Sequence, residues 1–211
     1  MKSLKASRIK SSTISALIHI LILLSIFPLD AFSQDTSWTQ KNKQFLIDHF
    51  ERTKQEINKE TKDLSIKQWN FREKPDAWTI AEVLEHLNMW QIVTQEHERY
   101  MLYNGRRPDL AKICSSDSVN TTFIYEEKKH VSPDFTIPTG TIPDRANLKL
   151  FNTYCDRIIT NIKNSDINFR MYFRTFTDGY MTNMNQAYMI QYGHVDRHLR
   201  QIRRIKSNAA F

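Results

Sequence analysis

The chain has 211 residues, a formal net charge of +7, 40% hydrophobic and 25% charged residues. That balance describes a folded chain of one domain and excludes wholesale disorder. With only four Gly and two Cys, it also excludes glycine-rich nucleotide cradles, disulfide-dense scaffolds and cysteine zinc fingers.

The first segment reads as a signal peptide over residues 1–33. Lys2, Lys5, Arg8 and Lys10 precede an apolar run from Ile14 to Phe27. Pro28 and a small-x-small site, Ala31-Phe32-Ser33, follow. This order marks a secretory leader, and the run is shorter than the roughly 20 residues of a membrane span. The expected product is exported, periplasmic or secreted, after cleavage near Ser33. Contact with a membrane is expected only if the leader is retained. Removing the leader takes away four basic residues and one acid, lowering the net charge from +7 to +4. The remaining bases gather at Arg197, Arg200, Arg203, Arg204 and Lys206, where cations complement a helix C-terminus. No stacking aromatics interleave them, so no nucleic acid is expected as a partner.

Residues 34–211 read as an all-α four-helix bundle. Helix one is expected from about Thr39 to Asp63, with Leu46, Phe50, Thr53, Ile57, Thr61 and Leu64 on one face. Helix two starts at Thr79, an N-cap with Glu82 three residues on, and runs to about Tyr103 before Asn104-Gly105. Its inner stripe holds Val83, His86, Leu87, Trp90 and His97. Residues 104–143 form a long connection between helices two and three, expected to be irregular, with a strand-like patch at Thr121–Glu126. Helix three spans about Asp144 to Lys163, with Leu148, Phe151, Cys155, Ile158 and Ile162 inward. A short extended piece is expected at Asn168–Thr175, and a turn at Asp178-Gly179. Helix four runs from about Thr182 to Lys206 with Tyr188, Gln191, His194, Val195, His198, Leu199 and Ile202 inward. The long link invites a topology other than simple up-and-down.

Three of the seven histidines carry chemistry. His194 and His198 are four apart, one helical turn, so both imidazoles can reach one ion at about 2.0–2.1 Å. Packed core histidines satisfy the same spacing. His86 adds a third inward ring from another helix. Three neutral imidazoles suit zinc, nickel, copper or iron, and leave a coordination position open, as in catalytic sites. His97 lies eleven residues beyond His86, roughly 16 Å along the helix, too far to share the ion. His49 and His130 fall on polar faces or loops, and His19 belongs to the leader.

The segment Trp78-Thr79-Ile80-Ala81-Glu82-Val83-Leu84-Glu85-His86-Leu87 resembles the W-[ST]-x-x-E-x-x-x-H-[IL] signature of DinB-like proteins. His194-Val195-Asp196-Arg197-His198-Leu199-Arg200-Gln201-Ile202 resembles their H-x-x-x-H-x-x-Q-[IL] signature. The resemblance covers residues 40–206. It implies a four-helix bundle, often dimeric, with a divalent metal held by His86, His194 and His198. The ion would be zinc or nickel, with iron or manganese as alternatives. It implies a metal-dependent enzyme of hydrolase or thiol-transferase type acting on a small molecule, or a non-catalytic metal- or ligand-binding module. The thiol-using members work in the cytosol, whereas this chain carries an export signal.

Other residues have plainer expectations. Cys155 reads as a buried hydrophobe, and Cys114 lies in the long link, where the two thiols could pair in an oxidising compartment. Glu85 and Asp196 are expected to face solvent, because helical geometry turns them from their neighbouring histidines. Tyr188 and Gln191 share the face of the His194–His198 pair, placed either to pack or to touch a ligand.

Overall fold

The structure, a computed structural model, describes residues 37–125, 131–176 and 179–211. The expected leader and its cleavage site, His19, His130 and Asp178 lie outside these residues. Four long helices form a bundle: α1 (Gln40–Thr61), α3 (Ile80–Asn104), α6 (Asp144–Asn164) and α7 (Met184–Lys206). Short helices α2 (Ile66–Trp69), α4 (Pro108–Ala111) and α5 (Asp117–Tyr125) fill the connections. Among the described residues no helix is long and apolar enough to cross a membrane.

Local chemistry sets the helix starts. Thr39, Ser65, Thr79 and Asn183 each cap a helix through a reciprocal box with the residue three positions on, satisfying backbone N–H groups that a helix start leaves orphaned. Gly105, at φ 74°, ends α3 in the left-handed region that glycine occupies without penalty. The α1 residues Leu46, Phe50, Thr53, Ile57 and Thr61 are buried at three- and four-residue steps, as amphipathic spacing dictates.

Packing defines the topology. Helices α1 and α3 each pack against both α6 and α7. Residues 49, 52 and 60 of α1 meet 192, 196 and 206 of α7, so those helices run parallel. Residues 51, 54 and 58 of α1 meet 163, 156 and 152 of α6, so those run antiparallel. On α3, Asn88 and Gln95 meet Asn147 and Arg157 of α6 in parallel, whereas His86 and Thr94 meet His198 and Gln191 of α7 antiparallel. The order is therefore up, down, down, up. The long link between α3 and α6 carries the chain back to the other end, as its length suggested.

That link is more regular than expected. Thr121–Tyr125, read as strand-like, lies in helix α5, which packs on α7. The hydroxyls of Thr121 and Thr122 donate to the Asp117 and Ser118 carbonyls, so β-branched residues sit within a helix that tertiary contacts hold. The expected extended piece becomes a 3-10 turn, Phe169–Met171, followed by strand β1 (Phe173–Thr175). Strand β2 (Met181–Asn183) pairs antiparallel with β1, occupying the start that was expected for the last helix. The core has one cluster around Ile57, Trp69, Leu84 and Leu199, and another around Phe50, Ile158, Phe169 and Tyr188.

Candidate metal centre

His86 sits two turns into α3, behind the Thr79 cap. The Trp78 ring packs on it at 4.8 Å between centroids. His194 and His198 project from α7 one turn apart, ring centroids 4.5 Å from each other. The three rings converge through their Nε2 atoms. His194 Nε2 lies 3.3 Å from His86 Nε2 and 3.0 Å from His198 Nε2. All three ligand atoms fall within 4.8 Å of one another, a grouping that can hold a metal ion. Around a tetrahedral ion with bonds of about 2.0–2.1 Å, ligand nitrogens stand about 3.4 Å apart.

The outer nitrogens show which atoms carry lone pairs. His86 Nδ1 is 2.7 Å from the Thr136 carbonyl oxygen, and Ser132 Oγ is 3.4 Å away. A carbonyl only accepts, so His86 carries its proton on Nδ1 and presents a bare Nε2 inward. His198 Nδ1 donates to Gln201 Oε1 at 2.8 Å, which leaves its Nε2 bare as well. These assignments follow from the partners. His194 Nδ1 is buried with no hydrogen-bond partner among the described residues. One shared proton cannot satisfy three convergent nitrogens, whereas one cation can. Outer hydrogen bonds of this kind orient metal-binding imidazoles and raise their basicity.

Electrostatics keep the rings neutral. Burial pushes the His198 pKa down to about 3, with His86 adding to the effect and the Gln201 bond opposing it. Burial drives His194 well below the usual range, helped by His198, His86 and Arg197. Burial also lowers His86, against the Thr136 carbonyl. Neutral imidazole is the form that binds a metal.

The trio opens onto a cavity of about 350 Å³ between α3 and α7. Trp90, Ile124, Phe176 and Ile190 supply apolar wall, and Arg197 is the one Lys or Arg among the described residues that line it. No Asp or Glu lines it among the described residues. His97, too far along α3 to share the ion, lies on the same cavity with its ring against Phe176. Gln191 also lines it, accepting from Thr94 Oγ1 at 2.7 Å. Tyr188 instead packs in the core against Phe50 and Phe169.

Two expectations need correction, and one neighbour was missed. Glu85 is not solvent-facing but 3% exposed. Its carboxylate accepts from Thr139 N, Thr139 Oγ1 and Gly140 N at 3.1, 2.7 and 2.9 Å. Asp196 is partly exposed and grips Arg52 through both oxygens, at 2.8 and 2.7 Å. Thr136, the His86 partner, carried no sequence signal, because it lies fifty residues away in an irregular segment. Gln201 did carry one, standing three residues after His198 where a helix brings side chains together. Cys114 and Cys155 are both free and buried, in different clusters. Burial raises their thiols to about 11 and about 12, which keeps both protonated and poor as nucleophiles.

Comparison with curated proteins and with solved structures returned no match. A family model for the DinB superfamily matches residues 49–202, a stretch that begins in α1, ends in α7 and includes all three histidines. The chain belongs to the DinB superfamily.

Proposed function

We propose that this protein is an exported metalloenzyme that holds one divalent ion through His86, His194 and His198. The observation that carries the reading is the convergence of three Nε2 atoms with two outer nitrogens already committed to Thr136 and Gln201. The donor set, three neutral imidazoles, suits zinc or nickel first. When bound, the ion would supply Lewis acidity, polarising a substrate oxygen or holding a thiolate. Thr136 and Gln201 keep the His86 and His198 rings aimed inward. Trp78 and Trp90 line the site, and the cavity admits a small molecule to the open side of the trio. Reaction types consistent with this arrangement are hydrolysis and thiol transfer. Export is supported by the basic, apolar, small-x-small order of residues 1–33.

A second reading is a module that holds the same ion and a ligand without turnover. The lack of a carboxylate on the described cavity wall favours it, since among the described lining residues general acid-base chemistry beyond the trio falls to His97 and Tyr180.

Elemental analysis of residues 34–211, made without a histidine tag, tests both readings. The expected result is close to one divalent ion per chain, lost in His194→Ala. A chain that takes up no ion from zinc, nickel, copper, manganese or iron solutions overturns the metal assignment.

A further inference from the structure

The cavity at the trio has a shape that selects its occupant. Its walls can be placed in order, because α3 and α7 run antiparallel and meet in successive pairs. His86 faces His198 with ring centroids 4.8 Å apart. One turn on, Trp90 faces His194 at 5.4 Å. Another turn on, Thr94 bonds Gln191. At the far end His97 meets Phe176, which is held in the β1–β2 turn by a bond from its N–H to the Tyr180 carbonyl at 2.7 Å. His86 and His97 both line the space, and eleven residues of helix separate them, roughly 16 Å. A volume of about 350 Å³ drawn out over that length is a slot, not a bowl.

The slot changes character along its length. At one end stand the three histidines and Arg197. The shaft is mainly apolar, walled by Trp90, Ile124, Ile190 and Ala187, with Thr94 and Gln191 bonded to each other as its polar pair. The other end carries polar groups again, from His97, Tyr180 and Thr182. With no described carboxylate on the wall and a divalent cation held by the trio on the reading above, the head of a ligand is favoured as an anion.

Resting on the metal reading above, we propose that the substrate class is a slender amphiphile. It has an unbranched apolar chain and an anionic, metal-binding head that sits at the histidines. Its chain lies along the shaft toward His97. Bulky polar molecules are excluded by the largely apolar shaft rather than by the metal end.

The test is a titration of the cobalt-loaded protein with butanoate, octanoate and octylamine. The visible cobalt band reads the head, and the change in tryptophan fluorescence, to which Trp90 in the shaft contributes, reads the chain. Octanoate is expected to bind at least about tenfold more tightly than butanoate, because each buried methylene adds affinity. It should shift the cobalt band, and octylamine should not. Ile190→Trp, which plugs the middle of the shaft, should abolish the advantage of octanoate and leave the cobalt band before ligand addition unchanged. Ile190→Ala, which opens the shaft, should keep that advantage and guards against a plugged variant that fails to fold. Equal affinity for butanoate and octanoate, or octylamine binding as well as octanoate, overturns the proposal. Absence of any cobalt band before ligand addition overturns the metal reading and this assignment with it, and is distinguished by coming first.

Discussion

His198 shows at the scale of one residue how a cluster of buried histidines costs stability. Its folded-state pKa of about 3 lies far below the value of about 6.5 for a free imidazole. Between those two values the unfolded chain binds a proton that the folded chain refuses. Stability of the metal-free protein therefore rises with pH in that window and falls as pH drops through it. Each such ring sets a slope of at most about 1.4 kcal/mol per pH unit, and His86 and His194 act in the same direction. Urea unfolding of chelator-treated protein at pH 7 and pH 5 should give clearly lower stability at pH 5, with a shallower difference for His198→Gln. Equal differences in the two proteins would show that the ring is not the source. The trio itself was legible in the sequence, since one helical turn between His194 and His198 is a spacing that geometry dictates. Glu85 was not. Helix periodicity turned it outward, and only the return of Thr139 and Gly140 across α3 makes that face an interior.

Helix α5 shows what an element gains from a neighbour. Its sequence reads as strand, yet it lies along α7 where Gly193 allows a close approach. A methyl group at Gly193 would stand 2.6 Å from Ile124 Cγ2 and 2.9 Å from its Cδ1. The branched Ile124 side chain is stiff at the clashing carbon. Two effects oppose each other in Gly193→Ala. Alanine favours the helix by about 1 kcal/mol, while forced overpacking costs about 1–3 kcal/mol. The clash wins here because α5 is itself pinned. Arg170, 6% exposed, is bonded to Asp117 at its first turn through both carboxylate oxygens, at 2.9 and 2.7 Å. Gly193→Ala should therefore lower Tm by about 2–4 °C, and calorimetry reads it directly. A raised Tm would mean that α5 moves aside freely. The four long helices were legible from caps and apolar spacing alone. The α5 segment and the β1–β2 pair were not, because their stability comes from contacts distant in sequence rather than from their own propensities.

Across the whole molecule, the up-down-down-up order sets α3 beside α7 with opposite direction, so that the second turn of one meets the fourth turn of the other. An ion at the trio would therefore join two helices that are separate in sequence. Through the His86–Thr136 bond it would also tie down the segment Asp134–Thr136, whose continuation at Thr139 and Gly140 is held by Glu85, the residue before His86. Such an ion binds the folded chain far better than the unfolded one, since the three rings come together only on folding. At a free concentration of about 100 times Kd it adds about 2.7 kcal/mol of stability. For a chain of this size each kcal/mol is worth about 2–4 °C, so loading should raise Tm by about 5–10 °C. Thermal unfolding with and without chelator measures the difference. His86→Ala should show no such shift, because two rings on one helix no longer bridge α3 to α7. If chelation leaves the wild-type transition in place while elemental analysis still finds the ion, the site holds metal without joining the bundle, and the coupling of ion to fold is refuted.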